Sequence, residues 1–337
     1  MWWLFIVYAI ALGLVIFLSN KVARYTDIIE KRTKVSGALM GGIVLAGITS
    51  LPELVTSITS SFLGEPELVQ GDIYGSNIFD ICIIGVIMMF FAKLVKKTKI
   101  SKANAKFVLY CIIITALIII EVVLGVFAGV SLTIPYVNIN ALTIISIVLY
   151  FVAVFTTPTT KDIEQVRAGE HVNVKEDTPK HLLKPIIAKF VICAVLLVGV
   201  SIAITFLSNT IANEYGLNKG LAGALFLGLA TSLPEIVGSF TLVKVGNYDA
   251  AYGNIIGSCL FNFMILGLAD IFYFGGTVFL TNLTTLYVCI CMIVALFGMM
   301  LSYILKRFTK NGANVVTIPL CGFMCVVSFV VSLIVLA

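Results

Sequence analysis

Thr49-Ser50-Leu51-Pro52-Glu53 recurs as Thr231-Ser232-Leu233-Pro234-Glu235, each copy inside an otherwise apolar run and 182 positions from the other. A proline and a carboxylate in a hydrophobic span are each costly, the first because it breaks the helix ladder and the second because it places charge in lipid. Their duplication therefore implies use. The same offset continues without a gap: Gly41 matches Gly223, Leu45 Leu227, Ser57 Ser239, Thr59 Thr241, Gly64 Gly246, Gly71 Gly253, Gly75-Ser76 Gly257-Ser258, Phe79 Phe261 and Gly85 Gly267. A register held that long marks an internal repeat, and a repeat sets the architecture.

The surroundings of the repeat are those of a bilayer protein. Of 337 residues, 60% are hydrophobic and 12% charged, and the mean hydropathy is +1.10. Apolar runs of about 20 residues span a membrane as helices. Ten are expected, at roughly 2–19, 35–63, 67–92, 107–130, 139–157, 186–208, 217–243, 247–274, 280–305 and 314–337. The run opening Met1-Trp2-Trp3-Leu4 lacks a positive n-region and a small-residue cleavage site before Lys21, so it reads as a retained span. The mixed-charge stretch from about Pro158 to Lys184 is too short and too polar to fold alone. The expected division is a first five-helix repeat at 1–157, a cytoplasmic linker at 158–185 and a second five-helix repeat at 186–337.

The net charge of +5 is distributed by topology and does not form a nucleic-acid surface. Lys21, Arg24, Lys31, Arg32 and Lys34 follow the first span, and Lys93 to Lys106 surround the connection after the third. Lys161 to Lys189 surround the central linker, Lys244 follows the seventh span, Lys306, Arg307 and Lys310 follow the ninth, and Lys219 alone falls on the other side. The positive-inside rule makes the odd-numbered connections cytoplasmic and both termini extracellular. Five spans per half is an odd number, so the second half enters with inverted orientation. Inverted repeats with broken helices, here expected to be the second and seventh, are the architecture of many secondary transporters. Channels can be built that way too.

Proline at 52 or 234 frees the carbonyl about four residues earlier, and irregular backbone at membrane depth survives only when buried in protein or lining a hydrated cavity. Glu53 and Glu235 add a carboxylate to each break. A structural role for them would need buried lysine or arginine partners, but those residues lie at span ends and in loops, and intramembrane acids without basic partners mark ion pathways. One span later, Asp72, Ser76 and Asp80 follow one another at helical four-residue steps, and Asn254, Ser258 and Asn262 are their counterparts. Asp80 lies deep in an apolar run, whereas Asp72 and Asn254 stand nearer a span entrance and are weaker candidates. Ser50, Ser76, Ser232 and Ser258 either line the path or bond back to their own helices. Gly71, Gly75, Gly253 and Gly257 allow close helix approach.

Every group in this constellation offers oxygen, which suits hard cations; zinc or copper would call for histidine or cysteine. His171 and His181 fall in the polar linker, and the eight cysteines, Cys82, Cys111, Cys193, Cys259, Cys289, Cys291, Cys321 and Cys325, read as small packing residues. No Ser/His or Ser/Lys arrangement and no paired catalytic aspartates in facing spans point to an intramembrane hydrolase, so the chain reads as no enzyme.

The paired motifs, Gly47-Ile48-Thr49-Ser50-Leu51-Pro52-Glu53 with Gly75-Ser76-Asn77-Ile78-Phe79-Asp80 and Ala230-Thr231-Ser232-Leu233-Pro234-Glu235 with Gly257-Ser258-Cys259-Leu260-Phe261-Asn262, resemble the alpha repeats of the cation/calcium exchanger superfamily. The likeness is greatest to its compact prokaryotic sodium/calcium branch. The resemblance implies an all-α membrane protein exchanging Ca2+ for Na+ by alternating access, with no cofactor, working as a monomer in the cell membrane. Its site would comprise Glu53, Glu235, Asp80 and Asn262, backbone carbonyls of Thr49 and Thr231, and Ser50, Ser76, Ser232 and Ser258. In that family Asn is common where Asp80 stands and Asp where Asn262 stands, so the pair is exchanged here; Asp72 and Cys259 each replace an Asn. Proton coupling, potassium dependence and a cation channel are the alternatives.

Overall fold

The computed structural model describes residues 2–33, 50–98, 100–134, 139–156, 183–244, 246, 248–308 and 317–336. It is nearly all helical. The first half comprises α1 (Trp3–Thr33), α2 (Leu51–Phe62), α3 (Pro66–Phe90), the short α4 (Ala92–Lys97), α5 (Lys102–Val123) continued by a π-helical turn (Leu124–Ala128), and α6 (Ala141–Thr156). The second comprises α7 (Leu183–Tyr215), α8 (Lys219–Thr231), α9 (Leu233–Lys244), α10 (Tyr248–Ile271), α11 (Leu283–Phe308) and α12 (Thr317–Leu336). Among the described residues, 7 helices are long and apolar enough to cross a membrane, and 8 if α8 and α9 count as one bent span. α2 and α6 lie within two further expected spans but are short, at 12 and 16 residues.

The repeat recurs in the element boundaries. α2 begins at Leu51 and α9 at Leu233, α3 at Pro66 and α10 at Tyr248, so the 182-residue offset is kept. Gly64 and Gly246 end the two matching turns with φ of 75° and 87°, a left-handed conformation that only glycine adopts without strain. Pro52 and Pro234 are each the second residue of their helix, where a missing N–H costs nothing. In the second half the result is the expected break: α8 and α9 meet at 46°. In the first half the expected break falls beside residues 34–49, outside the described residues, together with Gly41, Leu45 and Thr49.

α3 runs through the centre, flanked by α10, α11, α12 and α8. Ile73, Ile81, Tyr252, Phe263 and Met292 belong to the main core, while Val15, Val22, Leu197 and Ile204 pack α1 and α7 into a smaller cluster against Leu68 and Leu227. The outward faces of α1 and α7 remain apolar, with Ile6, Ile10, Phe17, Ile192, Val195 and Leu196 exposed, as lipid-facing surfaces are. Residues 223–228 of α8 are π-helical and approach α3 backbone to backbone. A Cβ on Gly223 would stand 2.6 Å from the Leu68 carbonyl oxygen, and one on Gly228 2.8 Å from Ser76 N.

A two-stranded antiparallel ladder, β1 (Thr133–Ile134) with β2 (Ile139–Asn140), joins α5 to α6 and is a small correction to the all-α expectation. It belongs to a lock around two buried acids that the sequence reading did not single out. Glu121 accepts from Leu132 N (3.1 Å), Ser131 Oγ (3.3 Å) and Asn140 Nδ2 (2.8 Å). Asp270 accepts from Asn140 N (3.0 Å), Thr277 Oγ1 and Val278 N (both 2.7 Å), and from the Thr143 hydroxyl. Asp270→Ala strands several buried donors, each costing about 1–3 kcal/mol. The expected result is a melting temperature lowered by several degrees in detergent; an unchanged one would show that the lock contributes nothing.

Candidate ion site

Glu53 is the third residue of α2 and Glu235 the third of α9, so each carboxylate sits in the first turn of a helix, where free N–H groups favour negative charge. Both are buried, 0% and 2% exposed, and neither carboxylate accepts a hydrogen bond. Asp80 on α3 is likewise 0% exposed with both oxygens free. Glu53 lies within electrostatic reach of Glu235, Asp72 and Asp80, and among the described residues no lysine or arginine acts on the three. Buried polar groups are almost always partnered. Six carboxylate oxygens of Glu53, Glu235 and Asp80 have no hydrogen-bond partner, whereas Glu121 and Asp270 are saturated.

Serine hydroxyls neighbour two of the acids. Ser50 Oγ and Ser258 Oγ share a hydrogen bond of 3.2 Å across the two halves, and Ser50 also neighbours Glu235. Ser76 bonds across to the Gly228 carbonyl at 3.3 Å. Ser232 stands beside Asp80 with its hydroxyl unpaired. The Thr231 hydroxyl takes the plain alternative and donates back to Leu227 O at 3.0 Å. Asn262 keeps Oδ1 free while Nδ2 donates to Asn77 Oδ1 at 3.0 Å. Thr49 lies outside the described residues.

Asp72 and Asn254 are set one step away. Asp72 Oδ2 accepts from Thr56 Oγ1 (2.6 Å) and Ser57 Oγ (2.9 Å), with Oδ1 free. At the matching place Asn254 Nδ2 donates to Ser239 Oγ (3.2 Å) and to the Glu235 carbonyl (3.4 Å). Thr56 and Ser57 hold Asp72, and Asn77 holds Asn262, none of them a residue the sequence motifs mark as a candidate. The Ser57/Ser239 match and the position of Asn77 inside the quoted motif were the available signals. Among the described residues no three His, Cys, Asp or Glu side chains come close enough to enclose a metal by themselves. The candidate set is mixed, carboxylates together with serine and asparagine oxygens, and is chemically suited to hard cations. Cys259 turns its Sγ to the Asn77 carbonyl at 3.7 Å.

Known proteins resemble the chain in sequence and in fold. The chain is 26% identical over 267 residues to the putative antiporter CaxA of Alkalimonas amylolytica, covering 78% of each. It is 36% identical over 84 residues, 24% of this chain and 23% of that one, to the sodium/calcium exchanger MaX1 of Methanosarcina acetivorans. The fold is similar to that of YfkE, with TM-score 0.69 at 16% identity over 98% of this chain and 91% of that one. It is also similar to that of the sodium-calcium exchanger NCX_Mj, with TM-score 0.58 at 18% identity over 98% of both. The family model described as sodium/calcium exchanger protein matches residues 3–157 and 186–337. With both halves so matched, this chain is a membrane transporter belonging to the sodium/calcium exchanger protein family.

Proposed function

We propose that the protein is a secondary active antiporter exchanging Ca2+ for Na+ across the cell membrane by alternating access. The site lies near the midplane, where the breaks at Pro52 and Pro234 meet. The observation that carries this reading is the set of three buried carboxylates, Glu53, Glu235 and Asp80, none of which accepts a hydrogen bond. Three negative charges without counter-ions are strongly disfavoured away from water, so an empty carrier resists crossing between its two states. Cation-loaded forms cross. That asymmetry gives exchange in place of leak: one Ca2+ leaves a single negative charge, which a proton on Asp80 would cancel, and three Na+ balance all three acids. Ser50, Ser76, Ser232, Ser258, Asn262 and the backbone carbonyls of Thr49 and Thr231 supply further oxygens, with Asp72 and Asn254 beside them. Two inverted five-span halves, 1–157 and 186–337, flank a cytoplasmic linker at 158–185, with both termini extracellular and the monomer as the working unit.

Calcium-45 flux in proteoliposomes, with sodium, potassium and proton gradients imposed one at a time, tests the coupling. An outward sodium gradient is expected to drive uptake by itself. Uptake driven by a pH gradient without sodium would replace this reading with proton coupling, an absolute potassium requirement would make it potassium-dependent, and currents without any counter-ion would make it a channel.

A further inference from the structure

We propose that Asn77 and Cys259 determine which half of the site carries the third carboxylate, by fixing what positions 262 and 80 can hold. The proposal rests on the antiporter reading above and adds two positioning residues to it.

Asn77 and Cys259 occupy equivalent places in the repeat, 182 positions apart, and bond to each other reciprocally. Asn77 Nδ2 donates to the Cys259 carbonyl at 3.3 Å, and Cys259 Sγ to the Asn77 carbonyl at 3.7 Å. α3 and α10 therefore touch at the point where the repeats exchange roles. A backbone carbonyl can only accept, so the first bond fixes the Asn77 amide with its nitrogen toward residue 259. Its oxygen is left facing Asn262, whose Nδ2 donates to it at 3.0 Å. That bond in turn aims Asn262 Oδ1, which has no other partner, away from Asn77. Position 262 thus needs a donor. A carboxylate there would set acceptor against acceptor in a place 0% exposed.

The counterpart of Asn262 is Asp80, and the counterpart of Asn77 is Cys259. Cys259 lies within electrostatic reach of Asp80 but carries no amide oxygen, and its Sγ is turned to the Asn77 carbonyl. Nothing at 259 demands a donor from residue 80, and both Asp80 oxygens are free. An asparagine at 259, placed as Asn77 is, would present its oxygen to residue 80 and require an amide there. The four residues form two matched pairs, an acceptor with an amide and a thiol with a carboxylate.

The test exchanges the pairs. Asp80→Asn/Asn262→Asp moves the acid to the other half and leaves the total unchanged. Adding Asn77→Cys/Cys259→Asn moves the partners with it. Sodium-driven calcium-45 uptake is expected to fall about tenfold or more in the two-residue exchange, by the cost of an unmatched buried acceptor, and to return to within about threefold of the parent in the four-residue mirror. The calcium-induced rise in melting temperature of the purified proteins should follow the same order. If the two-residue form fails to fold and the mirror folds, the pairing is supported, because the same clash of acceptors is then read as stability. A two-residue form that transports and binds as the parent does, or a mirror no better than it, overturns the proposal. Absence of sodium-driven uptake in the parent would instead remove the antiporter reading, leaving the calcium-induced melting shifts to judge the pairs.

Discussion

Glu53→Gln and Glu235→Gln are each expected to reduce sodium-driven calcium uptake by about a hundredfold or more while leaving the protein folded. Each glutamate is buried and accepts no hydrogen bond from the protein. Its oxygens are therefore available to a cation and are not already engaged by a donor of the protein. Glutamine keeps the shape and one acceptor oxygen but removes the charge. Breaking a buried charge pair by removing one member costs about 3–5 kcal/mol, which is two to three orders of magnitude in ion affinity. Folding should not suffer, since an unpaired buried carboxylate is itself unfavourable and its neutral amide is less so. Two measurements separate the cases. Flux in vesicles reports transport, and the melting temperature without calcium reports the fold. Normal flux in either variant would sink the proposed site; lost flux with a collapsed melting temperature would make the glutamates structural.

Gly71→Ala and Gly75→Ala should have the largest effects on stability. A Cβ on Gly75 would stand 2.5 Å from the Ala224 Cα, and one on Gly71 2.9 Å from the Gly223 Cα. The opposing atoms are backbone of the π-helical stretch in α8, so no side chain can swing aside. Overpacking of this kind costs up to about 3 kcal/mol, and more where the backbone must move. The seam also positions function: Ser76 and Asp72 flank these glycines, and Ser76 bonds to Gly228 across it. A fall of more than about 5 °C in melting temperature and a loss of most transport are expected. Gly199→Ala on α7 is the control. Nothing lies within 4 Å of its added Cβ, and alanine is the better helix former, so its melting temperature should hold or rise. Equal behaviour of all three variants would show that the seam is not tightly packed.

Much of this molecule is legible in one dimension because its solvent is lipid. Helices must satisfy their own backbone, so long apolar runs announce themselves, and the expected spans at 67–92, 247–274 and 280–305 coincide closely with α3, α10 and α11. The prolines at 52 and 234 announce the helix starts, and the offset of 182 predicts that their surroundings repeat. The partners of the buried acids were not legible. Glu121 and Asp270 are as buried as Asp80, yet they are saturated by loop residues and by Asn140 of the two-residue ladder. Asp72 is half saturated by Thr56 and Ser57 from the preceding helix. Which buried carboxylate is spoken for depends on contacts between helices, and no local pattern encodes it.

The sequence by itself determined that this is a helical membrane protein built on a repeat, with a proline and a glutamate at the same place in each copy. Those are consequences of hydrophobic length and of residues that a lipid-embedded helix tolerates only with compensation. The tertiary structure alone decided which acids remain open and what orients their neighbours. The reciprocal contact of Asn77 with Cys259 fixes an amide, and the amide fixes Asn262. Hydrogen bonds are directional and short-ranged. Their pairing exists only once α3 and α10 have packed together.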